Sequence, residues 1–146
     1  MTCNGHRKRG CPDLKEEDII TLVKYRLEQA QTALDDAKFL LKGKRSTQSI
    51  VNRAYYAMFY AALALLQRIG KIPSKHTGVI SLFDREFVLK GIFSKDLSKD
   101  FHKAFELRQV SDYKTYEPIS WENAKELLDK SSNFVKSIKE YLEDKN

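Results

Sequence analysis

Apolar residues recur along this chain at helical spacing almost from end to end. Ile20, Val23, Leu27, Ala30, Leu34, Ala37 and Leu41 alternate by three and four, with Lys, Glu, Gln and Asp between them, which predicts a helix with one bundle-type seam. Asp13 after Pro12, with Glu16 three residues on, has the form of a capping box at its start, and Gly43 ends it. A second helix is predicted from Ser46 or Thr47 to Gly70. Its middle, Ala54 to Leu66, holds no charge, proline or glycine, so neighbours are expected on several of its sides. That run is too short for a bilayer, which needs about 20 apolar residues, and Tyr55, Tyr56 and Tyr60 would be poorly served in lipid.

Pro73 marks a turn. A third helix is predicted over Lys75 to Lys90, with Ile80, Phe83 and Phe87 on one side and Gly91 as its stop. A fourth starts near Ser94 to Asp96, buries Leu97, Phe101, Ala104 and Phe105, and gives way around Asp112 to Thr115. Ser120 caps a fifth, whose seam is Trp121, Ala124, Leu128, Ser131, Val135, Ile138 and Leu142; Leu127, Phe134 and Tyr141 form a second line beside it. No strand pattern competes. The expectation is an all-α, five-helix, mostly antiparallel bundle with short loops, a single domain over residues 13–146.

Composition changes this picture little. The 146 residues are 42% hydrophobic and 32% charged, a globular balance. The net charge of +6 is half local: Arg7, Lys8, Arg9 and Lys15 against Asp13 give +3 to residues 1–15 and leave +3 for the rest. Residues 1–12 read as a disordered basic tail. Cys3, His6 and Cys11 lie within it, one ligand short of a structural zinc site, so no metal and no cofactor is expected. Met1 is followed by no apolar signal region, and the expected location is the cytoplasm, with no membrane association.

One residue breaks the pattern. The apolar stripe of the fourth helix, continued one step past Ala104, lands on Arg108. A guanidinium on a core-facing stripe needs a partner, because an unpaired buried charge is very costly. Two readings stand. Arg108 closes the bundle end as an i, i+4 ion pair with Asp112, or it faces a cleft or subunit interface and meets a phosphate, which its planar fork suits. Arg53, at the entrance of the second helix, has the same two readings: a pair with a carboxylate of the first or fifth helix, or a second cation for an anionic ligand. In a strictly alternating bundle the second and fourth helices run parallel, which would hold Arg53 and Arg108 apart within one chain.

The stretches RAYYAMFYAALALL, KHTGVISLFDREFVLKG and FELRQVSDY, in this order and spacing, resemble the HEPN domain family, over roughly Val23 to Leu142. The resemblance implies a helical bundle that dimerises and is often encoded beside a minimal nucleotidyltransferase as a toxin–antitoxin-like pair. Many members are metal-independent ribonucleases, with an Arg and, after four to six residues, a His at the end of a late helix; the two copies in the dimer form one composite site. Arg108 matches that Arg. Where the His belongs stands Tyr113, with Lys114 and Thr115 at the longer spacings. A phenol of ordinary pKa about 10 is a poor base at neutral pH, so the ribonuclease motif reads as degraded. His102 is expected to face solvent, and His76 to be a capping or surface group, with catalysis as its minor alternative. The resulting expectation is a non-enzymatic HEPN-like module that binds a nucleotide or RNA phosphate through Arg108, Arg53 and Tyr113, beside a nucleotidyltransferase. The alternatives are an endoribonuclease toxin, with Arg108 on the phosphate and Tyr113 or Asp112 moving the proton, and a ligand-free assembly bundle. Tyr113 and Tyr116 are also candidates for adenylate transfer by the partner, since some family members are modified on a tyrosine near the motif.

Overall fold

The computed structural model describes residues 15–112 and 118–145, Asp112 by its backbone alone. Among them are five α-helices and no strand: α1 (Glu16–Lys42), α2 (Thr47–Arg68), α3 (His76–Phe83), α4 (Lys95–Asp112) and α5 (Trp121–Asp144). The all-α bundle is as the periodicity predicts. None of these helices is long and apolar enough to cross a membrane.

α1 and α2 form an antiparallel hairpin. Lys44 turns the chain with a φ of 53°, and Ser46 caps α2 by accepting from the Ser49 amide at 3.2 Å. At the other end Arg68 meets Glu16 at 3.3 Å, which sets the end of α2 beside the start of α1. Lys15 stands at the α1 N-cap with no side-chain bond; Asp13 lies outside the described residues. The seams of α1 and α5 hold except at their first positions. Ile20 and Trp121 are 42% and 45% exposed, and burial begins one turn later at Val23 and Ala124.

α2 is the centre. Every residue from Ala61 to Gln67 is buried, as are Ile50, Val51, Ala54, Tyr55, Ala57 and Met58. The many alanines let neighbouring helices approach closely. α5 is fixed against this helix by Ser131, a polar residue in an apolar seam, whose hydroxyl donates to the Ala54 carbonyl at 2.7 Å. That bond satisfies a buried hydroxyl that would otherwise be a cost.

The third helix departs from the expected single run. α3 ends at Phe83, and Asp84–Val88 continue as a π-helical turn in which the Leu89 amide donates to the Asp84 carbonyl at 2.8 Å. The wider turn keeps Phe83 and Phe87 both inside, with ring centroids 6.2 Å apart, and brings Phe93 to 5.9 Å from Phe83. Phe83, Phe101 and Phe134, from three helices, close the core around one another at 5.0–5.6 Å. Asp84 faces outward and accepts from the Ser98 hydroxyl at 2.6 Å. Its other oxygen lies 2.7 Å from His102 Nε2, so His102 is exposed as expected but bound to a neighbour.

Candidate anion-binding site

Arg108 lies one helical step beyond the buried Leu97, Phe101 and Ala104 of α4, and it is half-buried. Its guanidinium carbon is 5.5 Å from the ring centroid of Tyr55 and 5.4 Å from that of Tyr56. Arg53 lies 5.2 Å from the Tyr56 ring and donates to Asn52 Oδ1 at 3.1 and 2.9 Å from Nε and Nη2. Two cations from different helices therefore share one aromatic ring, whose quadrupole favours both. The separation expected from strict alternation does not occur. The end of α4 reaches the first half of α2, so Arg53 and Arg108 lie against the same Tyr56 ring within one chain. Among the described residues, Asn52 and Tyr56 take the place of the carboxylate expected for Arg53.

The sequence pattern does not reveal one histidine of this cluster. His76, the first residue of α3, is half-buried, stacks on Phe59 at 4.3 Å, and places Nδ1 at 2.8 Å from the Tyr55 hydroxyl. It is neither a helix cap nor a plain surface group. Tyr55 is fully buried, and burial pushes its phenol well above the ordinary range, against the pull of Arg108. The phenol stays neutral, so its O–H donates to Nδ1 when the imidazole carries its proton on Nε2. Burial first, and the Arg108 charge second, hold the His76 pKa below its usual value. The only trace of this in the sequence is a His that opens a short helix just after the Pro73 turn; its pairing with Tyr55 depends on how the chain returns along α2.

Asp112's side chain, Tyr113 and Tyr116 lie outside the described residues, as do Cys3, His6 and Cys11. An open recess elsewhere on α4 is lined by Asp96, Asp100 and Glu106 as well as Lys99, Lys103 and Lys130. Its mixed charge gives an anion no net attraction, and neither arginine reaches it.

The pair around Tyr55 makes a stability prediction. Tyr55→Phe keeps the ring and removes the O–H, and should cost about 1 kcal/mol in urea unfolding. Because the folded pKa of His76 is depressed, the unfolded chain binds more protons below the ordinary imidazole pKa of about 6.5. Stability should therefore fall as pH drops through that value toward the lower folded one. His76→Gln should flatten this part of the profile, and a profile that keeps its slope would contradict the assignment.

The HEPN domain profile matches residues 23–141, the span that carries α2, α3, α4 and the site. The chain belongs to the HEPN family. A UPF0332 protein of Thermotoga maritima is 42% identical over 84% of this chain and 92% of its own length. Two proteins of Methanocaldococcus jannaschii, each named "Putative toxin", are 34% and 33% identical, over 90% and 82% of this chain and 96% and 81% of their own lengths. The histidine that this HEPN chain brings to the Arg108 cluster comes from α3, ahead of the arginine in sequence.

Proposed function

We propose that the chain is a HEPN-type module that binds a phosphate of RNA or of a nucleotide at the Arg53–Tyr56–Arg108 cluster. The observation that carries this reading is the convergence of two guanidiniums on the Tyr56 ring. Guanidinium forks suit phosphate oxygens, and the aromatic ring that the two share holds both in place. The test is fluorescence anisotropy with a short labelled single-stranded RNA. Wild type should bind with strong salt dependence, and Arg108→Ala should bind much more weakly. Equal binding by both would remove the reading.

The position of His76 supports a second reading, a metal-independent endoribonuclease toxin, and two relatives carry the word toxin in their names. Structured RNA incubated with chelator should then be cut by wild type and not by Arg108→Ala; no cleavage by either leaves binding as the whole activity. The proposal includes a symmetric dimer and a minimal nucleotidyltransferase partner, both resting on family membership. Light scattering at micromolar concentration should give twice the 16.9 kDa chain mass, and a monomer would remove the composite site.

A further inference from the structure

Arg108 and Arg53 carry fixed charge, whereas His76 beside them is a group whose charge depends on its surroundings. Its ring lies 5.8 Å from the Tyr55 centroid and 5.6 Å from the Tyr56 centroid, and the same two rings hold Arg108 at 5.5 and 5.4 Å. Tyr55 anchors Nδ1, and Phe59 stacks on the ring face at 4.3 Å, so the imidazole is held in one orientation from two sides. Nε2, which makes no hydrogen bond among the described residues, is the nitrogen left for a ligand.

We propose that His76 is a proton-coupled ligand of this site: it takes up a proton when a phosphodiester binds, and becomes the third cation on the phosphate. The idea rests on the phosphate-binding reading above. The charged or titratable groups that face His76 among the described residues are Tyr55 and Tyr56 from α2 and Arg108 from α4, with Arg53 across the Tyr56 ring. Tyr55 stays neutral, and burial first and the arginine second oppose a charge on His76, so the empty site favours the neutral ring. A bound phosphodiester reverses that balance. Its negative charge offsets Arg108 and favours an imidazolium that donates from Nε2. The proton comes from solvent and goes to Nδ1, since Nε2 already carries one; the Tyr55 hydroxyl turns from donor to acceptor of Nδ1–H, and the ring returns the proton when the ligand leaves. Affinity then rises as pH falls through the imidazole range.

The probe is a short 2′-O-methyl oligouridylate. It cannot be cleaved through its 2′ position, and its phosphodiesters do not titrate near neutral pH. Binding is measured at about pH 5.5 and about pH 8, either side of the ordinary imidazole pKa. Wild type should bind about tenfold more tightly at the lower pH, the effect of about one unit of pKa rise on binding. His76→Gln should bind equally at both pH values, at the affinity wild type shows at the higher one. His102→Gln should keep the wild-type slope. NMR titration of the His76 ring in wild type needs no variant, and should show its pKa rising when the probe is added.

Binding that depends on Arg108 yet is flat with pH, a slope that survives His76→Gln, or an unmoved His76 pKa overturns this inference and leaves the phosphate site standing. Binding that is absent, or indifferent to Arg108→Ala, overturns both.

Discussion

Replacing Phe101 with alanine should destabilise the fold by about 3–5 kcal/mol, the usual cost of emptying an aromatic site in a core that cannot collapse around it. Phe101 is fully buried, and its ring meets Tyr55 of α2 at 6.2 Å, Phe83 of α3 at 5.6 Å and Phe134 of α5 at 5.0 Å. Four helices therefore border the cavity that the substitution would leave. No single helix can move in to fill it without breaking contact with the others. Domains of this kind have about 5–15 kcal/mol of total stability, so the variant should be near the edge of folding at body temperature. Urea unfolding followed by circular dichroism checks it, with Phe101→Leu as the comparison. Leucine keeps part of the apolar volume and should lose clearly less. A loss below about 1 kcal/mol for Phe101→Ala would mean that the core is not joined through this ring.

The second large effect is expected at Arg108, and in binding rather than stability. Truncating a charge-assisted hydrogen bond costs about 1.5–3 kcal/mol, so Arg108→Ala should weaken RNA binding by roughly 10- to 100-fold. Arg108→Lys should fall between, because it keeps a positive charge but lacks the planar fork and the flat face that lies over the two rings. Arg53→Ala should lose less than Arg108→Ala, since Arg53 lies over one ring and is already bonded to Asn52. The salt dependence gives an independent readout. Each phosphate contact removed should reduce the slope of log affinity against log salt by about 0.7 for a single strand. If Arg108→Ala binds more weakly with an unchanged slope, the arginine acts by shaping the site and not by meeting phosphate.

The seams are legible in the sequence because a helix that packs on one line must repeat its apolar positions by three and four. Val23, Ala30, Leu34 and Ala37 on α1, and Ala124 through Leu142 on α5, obey that rule directly. Periodicity places even Ser131 correctly, although its bond to the Ala54 carbonyl is not foreseeable. The break in the third helix is hidden, since nothing in the run from Asp84 to Val88 forbids an ordinary α-helix; the packing of Phe83, Phe87 and Phe93 fits the wider turn. The site is half legible. Arg108 shows itself as a charge on an apolar stripe, and Arg53 as a charge at a helix start. Their placement on one Tyr56 ring, and the pairing of Tyr55 with His76, depend on the path of the chain from α2 to α4, which no periodicity encodes. For the same reason α2, which the sequence presents as scaffold, also supplies the aromatic floor of the site.

The π turn at Asp84–Val88 amounts to one surplus residue in an otherwise α-helical run. Removing a single residue there would restore ordinary pitch with little net rotation, whereas a further inserted residue that the helix absorbed at ordinary pitch would turn the downstream residues by about 100° relative to Phe83. With such an insertion Phe87 and Phe93 would swing away from the core together. The chain should therefore tolerate an insertion poorly between Phe83 and Phe93, and far better in the exposed turn at 43–46, where only the crossing between two helices is at stake.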